Sequence, residues 1–260
     1  MKENVLARHA LVGALALALV FGFWMSRPQW AEEMRFWKAV GDGSWVLLVL
    51  TLAVGPMARL WSWAAPLSPW RRETGIWFGL LALGHGFLIL SGWARWDVGT
   101  FFGYEFVPQL GRTARTEPGF GLANLIGLVA LFWALVLTAP SSNLAMRALG
   151  GSAWKWLHNG AYVTFYLVAL HTYYFLFIHY TPSFHSTPPV ADWFQYPFLA
   201  LALVVPFLQA CAFMRTVLRK KEGSAEMSRK AGNRGPTAPG DQPSVKTGNR
   251  QPAAGSSRQS

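Results

Sequence analysis

The sequence predicts an all-α integral membrane protein, a bundle of about six transmembrane helices. Three observations carry this prediction. Of 260 residues, 52% are hydrophobic and 13% charged, against roughly 25% charged in an average soluble protein. The apolar residues gather into runs at 10–25, 44–63, 75–95, 120–139, 157–178 and 194–214, and about 20 such residues cross a hydrocarbon core as a helix. Many of the 14 tryptophans fall near the ends of these runs (Trp24, Trp45, Trp61, Trp63, Trp77, Trp93, Trp154, Trp193), where an indole sits at headgroup level. Trp133 lies well inside one.

The first run follows a short basic start, Lys2 and Arg8, as a signal peptide would. The stretch after it, Phe23 to Pro28, offers no small-residue cleavage site, so this run is read as a retained helix. A loop at 26–43 follows, then a second run in which Gly55-Pro56 predicts a local kink. The loop at 96–119 is long and rich in Gly, Pro, aromatic and charged residues, and is expected to form a small outer cap. The inverted repeat common in transporters is absent. The expected division is an N-terminal helix and outer loop over 1–43, a transmembrane domain over 44–215, and a disordered basic tail over 216–260.

A net charge of +11 raises the question of nucleic acid, but its distribution points elsewhere. From Arg215 onward there are ten Lys or Arg against three acids, in a segment built of Gly, Ser, Pro and Gln. That is a tail beside a membrane, attracted to anionic lipid, with no nucleic-acid partner. The loops give the orientation. Arg59, Arg71 and Arg72 mark one side, as do Arg147 and Lys155, and the tail adds ten more. The opposite side carries three basic residues in 26–43 and Arg112 and Arg115 in 96–119. Both termini are therefore expected in the cytoplasm of a multi-pass membrane protein. The single cysteine, Cys211, excludes disulfides, a cysteine zinc site and covalent haem attachment.

Six histidines remain as candidates for chemistry. His9, His179 and His185 lie at or beyond membrane boundaries and read as solvated residues. His85 and His171 fall inside apolar runs, where an ionisable residue is costly and marks function by default. His85 lies 13 residues after Arg72, about 20 Å of helix, and His171 lies 16 after Lys155, about 24 Å. Two imidazoles at similar depth on helices of the same direction can grip one non-covalent haem b from opposite faces, leaving a six-coordinate iron suited to electron transfer. Gly84 and Gly86 beside His85 either let a flat macrocycle approach the helix or serve close helix packing. His158 lies nearer the cytoplasm. Thirteen residues separate it from His171, which leaves the two about 140° apart around an ideal helix. It serves a second haem only if the helix bends or that haem faces another neighbour. No phosphate-binding glycine loop and no hydrolase serine motif occurs.

Three stretches resemble the ferric reductase-like transmembrane superfamily, and within it the bacterial branch containing the haem-binding membrane subunit of the periplasmic methionine sulfoxide reductase. They are Thr51 to Leu60; Arg71-Arg72, Gly75 and His85; and Leu149-Gly150, Trp154, Leu157-His158, Tyr162 and His171. The resemblance covers 50–180. It implies a six-helix bundle with haem between helices three and five, His85 and His171 as the axial pair, and His158 as a ligand of a second haem or part of an inner cofactor site. Oxidases of the superfamily carry two histidines on each of the two helices, whereas the third run here has one.

Arg71 and Arg72 satisfy the positive-inside rule and need do nothing more. Their functional alternative is to neutralise a haem propionate or an anionic flavin or quinone. The expected function is a membrane electron-transfer component of an oxidoreductase system, with one or two haems. It would take electrons from a cytoplasmic flavin reductase or quinol and pass them to a periplasmic reductase or other acceptor. Ferric-chelate reduction is the alternative within that class, and a non-enzymatic transporter or scaffold the alternative outside it. The segment after the sixth run has neither the length nor the composition of a nicotinamide-binding domain.

Overall fold

A bilayer offers the peptide backbone no hydrogen-bond partner, so each apolar run must satisfy its own N–H and C=O groups as a helix. The computed structural model describes residues 5–115, 117–179 and 191–232, and among them six helical spans are long and apolar enough to cross a membrane. They are α1 (Val5–Met25), α2 (Glu32–Leu60), α3 (Trp70–Leu88) with a π-helical turn at Ile89–Trp93, α5 (Pro118–Thr138), α7 (Gly151–His158) with α8 (Gly160–Tyr173) and a second π-helical turn at Tyr174–Ile178, and α9 (Gln195–Gly232). The predicted all-α membrane bundle is what the chain forms.

Between α3 and α5 lie a short helix α4 (Val98–Phe101) and an antiparallel hairpin, β1 (Tyr104–Val107) with β2 (Arg112–Arg115). This is the cap expected at 96–119. Gly111, at φ 57°, supplies the left-handed residue that the hairpin turn needs. A short helix α6 (Asn143–Leu149) precedes α7. The chain divides into residues 1–215 and 216–260. In the first unit, the helix ends carrying the β-hairpin form one face (the hairpin face), and those carrying Arg59, Arg71, Arg147 and Lys155 form the opposite, basic face.

The core sits where α2, α8 and α9 meet. Trp45 is 1% exposed, with its ring 5.1 Å from Phe165 and 5.0 Å from Phe198. The headgroup placement predicted for Trp45 is therefore corrected: its indole is a core residue, and aromatic pairs of this spacing add to the stabilisation from burial. Close approach holds α3 to α5, because a Cβ on Gly79 would overlap the Thr138 side chain.

The second correction concerns 26–43, which was expected to be an outer loop. Helix α2 begins at Glu32 and carries the charges of that stretch into the bundle, where partners neutralise them. Arg27, fully buried, bonds Asp42 at 2.6 Å and Asp192 at 3.0 Å. Lys38 pairs with the other oxygen of Asp192 at 3.0 Å. Burial pushes the Asp192 carboxyl up, but Lys38 and Arg27 outweigh it and hold the group below its ordinary value.

The third correction concerns the tail. Residues 216–232 are the C-terminal part of α9, rich in good helix formers and braced by an exposed Glu226–Lys230 pair one turn apart. The rest of the expected tail lies outside the described residues.

Arg27→Met would leave Asp42 and Asp192 buried with too little positive charge, and should cost about 3–5 kcal/mol. Lys230→Ala at an exposed pair should stay within about 0.5 kcal/mol. Unfolding in detergent checks both. The lowered Asp192 carboxyl contributes stability that is present above its ordinary value of about 3.9 and is lost as pH falls through the folded value. Acidification into that range should therefore lower the melting temperature of the native chain more than that of Asp192→Asn.

Candidate functional site

Helices α2, α3, α5 and α8 enclose a cavity of about 600 Å³, within the range of cofactor pockets, roughly 300–1,000 Å³. His85 from α3 and His171 from α8 both line it and lie close enough to act on each other electrostatically. Phe78, Leu131, Val168 and Phe175 supply apolar wall.

Both rings are held in the same way. His85 Nδ1 lies 3.0 Å from the carbonyl of Trp37, and His171 Nδ1 lies 2.8 Å from the carbonyl of Ala123. A carbonyl only accepts, so each Nδ1 carries the hydrogen and each Nε2 keeps its lone pair. Such second-shell bonds orient histidine ligands of metals.

One helical turn beyond each carbonyl stands a glycine, Gly41 and Gly127. A Cβ there would lie 3.0 Å from His85 Cε1 and 2.7 Å from His171 Nδ1. The triplet Trp37, Gly41, His85 thus recurs as Ala123, Gly127, His171 at a constant offset of 86 residues. Each histidine helix also passes into a π-helical turn just beyond its histidine, a feature frequent at functional sites. The two helix pairs form a direct structural repeat with the cavity between them.

His158, Arg71 and Arg72 do not line this cavity. His158 sits at the C-terminal end of α7, its ring stacked 3.9 Å from Trp154 and its Nδ1 bonded at 3.0 Å to the Trp154 carbonyl of its own helix. Arg71 is near enough to act on it electrostatically. Arg71 donates to the Thr51 carbonyl at 3.2 Å, and its guanidinium lies over Gly55, whose Cβ would come within 3.2 Å of Nη1. The basic face also holds Arg8 against the buried Glu73 at 3.1 Å. Arg215 donates to the carbonyls of Arg59 and Leu60, capping the negative end of the α2 dipole.

Sequence reasoning missed Gly41 and Gly127; it named Gly84 and Gly86, which flank His85 within its own helix, for either macrocycle approach or helix packing. A Cβ on Gly86 would meet Leu131 at 2.8 Å, so Gly86 serves helix packing. The repeated spacing of 44 residues from glycine to histidine was the available signal. The solvated reading of His179 is corrected too. Its Nδ1 bonds Glu117 at 2.8 Å, and both residues line the cavity mouth at the hairpin face. His185 lies outside the described residues. Among the described residues no group of three or more His, Cys, Asp or Glu could hold a metal ion; the cavity presents two imidazoles, His85 and His171.

Half of this chain is similar to proteins named as heme-binding subunits and to a magnetosome protein. The protein-methionine-sulfoxide reductase heme-binding subunit MsrQ of Ralstonia nicotianae is 31% identical over 134 residues, covering 52% of this chain and 55% of that protein. Its counterpart in Azospira oryzae is 32% identical over 135 residues, covering 50% and 51%. The magnetosome protein MamZ of Paramagnetospirillum magneticum is 29% identical over 136 residues, covering 52% of this chain and 19% of that protein. The chain thus spans about half the length of the MsrQ relatives and a fifth of MamZ. No family model and no solved structure matches.

The two histidines should share one protonation pattern. Selective ¹⁵N-histidine NMR of the protein free of cofactor is expected to show His85 and His171 as neutral rings with the hydrogen on Nδ1. An Nε2–H tautomer at either would contradict the carbonyl bonds.

Proposed function

We propose that the chain is a haem b-binding electron-transfer subunit of a membrane oxidoreductase. The observation that carries this reading is the pair of imidazoles, each fixed through Nδ1 to a helix carbonyl, lining one apolar cavity from opposite halves of a repeat. The residues fit the group in three respects. The donor set is bis-imidazole, the wall is apolar and aromatic, and Gly41 and Gly127 leave out the side chains that would displace the rings. The similarity to proteins named as haem-binding subunits supports the same reading.

His85 and His171 would hold the haem, which would supply one-electron exchange. The protein's own part is positioning. The Trp37 and Ala123 carbonyls hold both rings in one tautomer, and the apolar wall excludes water. Little has to reorganise when charge arrives. We place the hairpin face in the periplasm, on the strength of Arg59, Arg71, Arg72, Arg147 and Lys155 at the opposite face. Arg71 beside His158, with Arg72 next to it in sequence, then forms a cationic approach for an anionic donor, a flavin or a quinol, from the cytoplasm. The acceptor is a reductase partner, a reading supported by the relatives' names, and the orientation just given puts it in the periplasm.

His85→Ala and His171→Ala should each abolish the sharp, redox-sensitive absorption of low-spin haem, while His158→Ala should keep it. A colourless native protein with full helix content would support the transporter or scaffold reading instead. Gly41→Val or Gly127→Val should lower haem affinity about 10–100-fold, the scale of lost second-shell support, measured by haem titration. Charge reversal at Arg71 should slow reduction by an anionic flavin donor most at low salt, where screening is weakest. A rate independent of ionic strength would remove that face from the donor route.

A further inference from the structure

A second apolar concavity, of about 530 Å³, opens between α1 and α2 toward the hairpin face. Leu17, Val20, Phe21 and Trp24 line it from α1, and Phe36 and Trp37 from α2. Leu17 and Phe21 are 65% and 62% exposed, so the groove opens outward from the bundle. Leu17 lies eight residues before Met25, the last residue of α1, and the groove therefore reaches about 12 Å down the span. That is most of one leaflet of a hydrocarbon core about 30 Å thick.

The charges beside this groove follow an order. Helix α2 runs inward from the hairpin face, and Glu32 and Glu33 stand exposed in its first turn, also lining the groove. Arg35 comes three residues after Glu32, about 4.5 Å deeper along the axis. Its guanidinium lies 4.2 Å over the ring of Trp24, against the groove wall. Among the described residues, Arg35 Nε is buried without a hydrogen-bond partner. Acids in a first turn also suit the helix dipole, but the dipole accounts for neither the groove nor the cation below them.

From outside to inside, the order is anion, cation, apolar groove. A groove that faces hydrocarbon is filled by a chain, because a void forfeits the contacts of its lining. We propose that this groove is a binding site for one phospholipid with an ethanolamine headgroup. Such a lipid presents its groups in the complementary order: a terminal ammonium, a phosphate one two-carbon link deeper, then the acyl chains. The ammonium meets Glu32 and Glu33, the phosphate meets Arg35, and one chain runs between α1 and α2 down to Leu17. Guanidinium matches phosphate oxygens with paired hydrogen bonds. A glycerol headgroup has the same phosphate and chains but sets neutral hydroxyls before the two carboxylates, so the acids select between the two lipids.

The site goes beyond the haem reading and does not rest on it. The two cavities nevertheless share a wall. Trp37 lines both, and its carbonyl holds His85, so the seated chain packs against the residue that orients that imidazole.

The test is native mass spectrometry of the purified full chain, released from micelles holding equal amounts of phosphatidylethanolamine and phosphatidylglycerol with identical chains. Lipid held by the basic face is common to every variant, so the groove is read from differences. Glu32→Gln combined with Glu33→Gln, both at exposed positions, should lower the retained ratio of ethanolamine to glycerol lipid about two- to fivefold, the scale of exposed ion pairs. Leu17→Trp, which fills the groove, should remove one ethanolamine lipid and leave the glycerol lipid unchanged. A native chain that retains no ethanolamine lipid overturns the proposal, as does a ratio that the double variant leaves unaltered. So does a Leu17→Trp chain that sheds no lipid, or one that instead sheds a bound quinone or a second copy of the chain. If either variant misfolds, the other decides.

Discussion

The cavity depends on a carbonyl that accepts twice. In a regular helix the carbonyls of Trp37 and Ala123 are already bonded by the N–H groups of Gly41 and Gly127 one turn on, and each oxygen has a second lone pair to offer. A side chain on the residue above would cover that lone pair. Glycine leaves it open, and an imidazole from the neighbouring helix moves in. Helix contact, ring orientation and tautomer are thus set by a single bond in each half. That bond favours only a close interhelical approach, so the cavity walls and the orientation of the two imidazoles come from the same constraint.

A second set of contacts keeps the hairpin face closed around this arrangement. Arg27 joins the loop after α1 to α2 and to the segment before α9. Its partner Asp42 directly follows Gly41 in sequence. Breaking the ion network would free the turn of α2 on which the His85 contact rests. The opposite face is tied by cations on carbonyls at the end of α2 and by Arg8 on the buried Glu73.

Much of the bundle was legible because a bilayer makes length and hydropathy nearly sufficient. His85 and His171 were legible as a pair because counting residues from the basic boundary gives depth. The start of α2 was not, since Arg35, Lys38 and Asp42 look like loop charges until their partners are seen, and Asp192 lies 165 residues from Arg27. Glu117 and His179 were hidden for the same reason. A charge at the end of a span reads as solvated, and only the fold shows that the two cover each other. Gly41 and Gly127 escaped because neighbours in sequence drew attention to Gly84 and Gly86, whereas a helix surface meets residues from another helix.

The two halves of the repeat grip the cavity alike but finish it differently. Beside the first half, Arg27 and Lys38 balance Asp42 and Asp192. That quartet is neutral as it stands, and moving a proton onto or off it would break an ion pair. Beside the second half, Glu117 pairs with Tyr174 and His179, both supplied by the end of the same helical span. The same architecture repeats the histidine contact in both halves and closes each half with a different polar cluster.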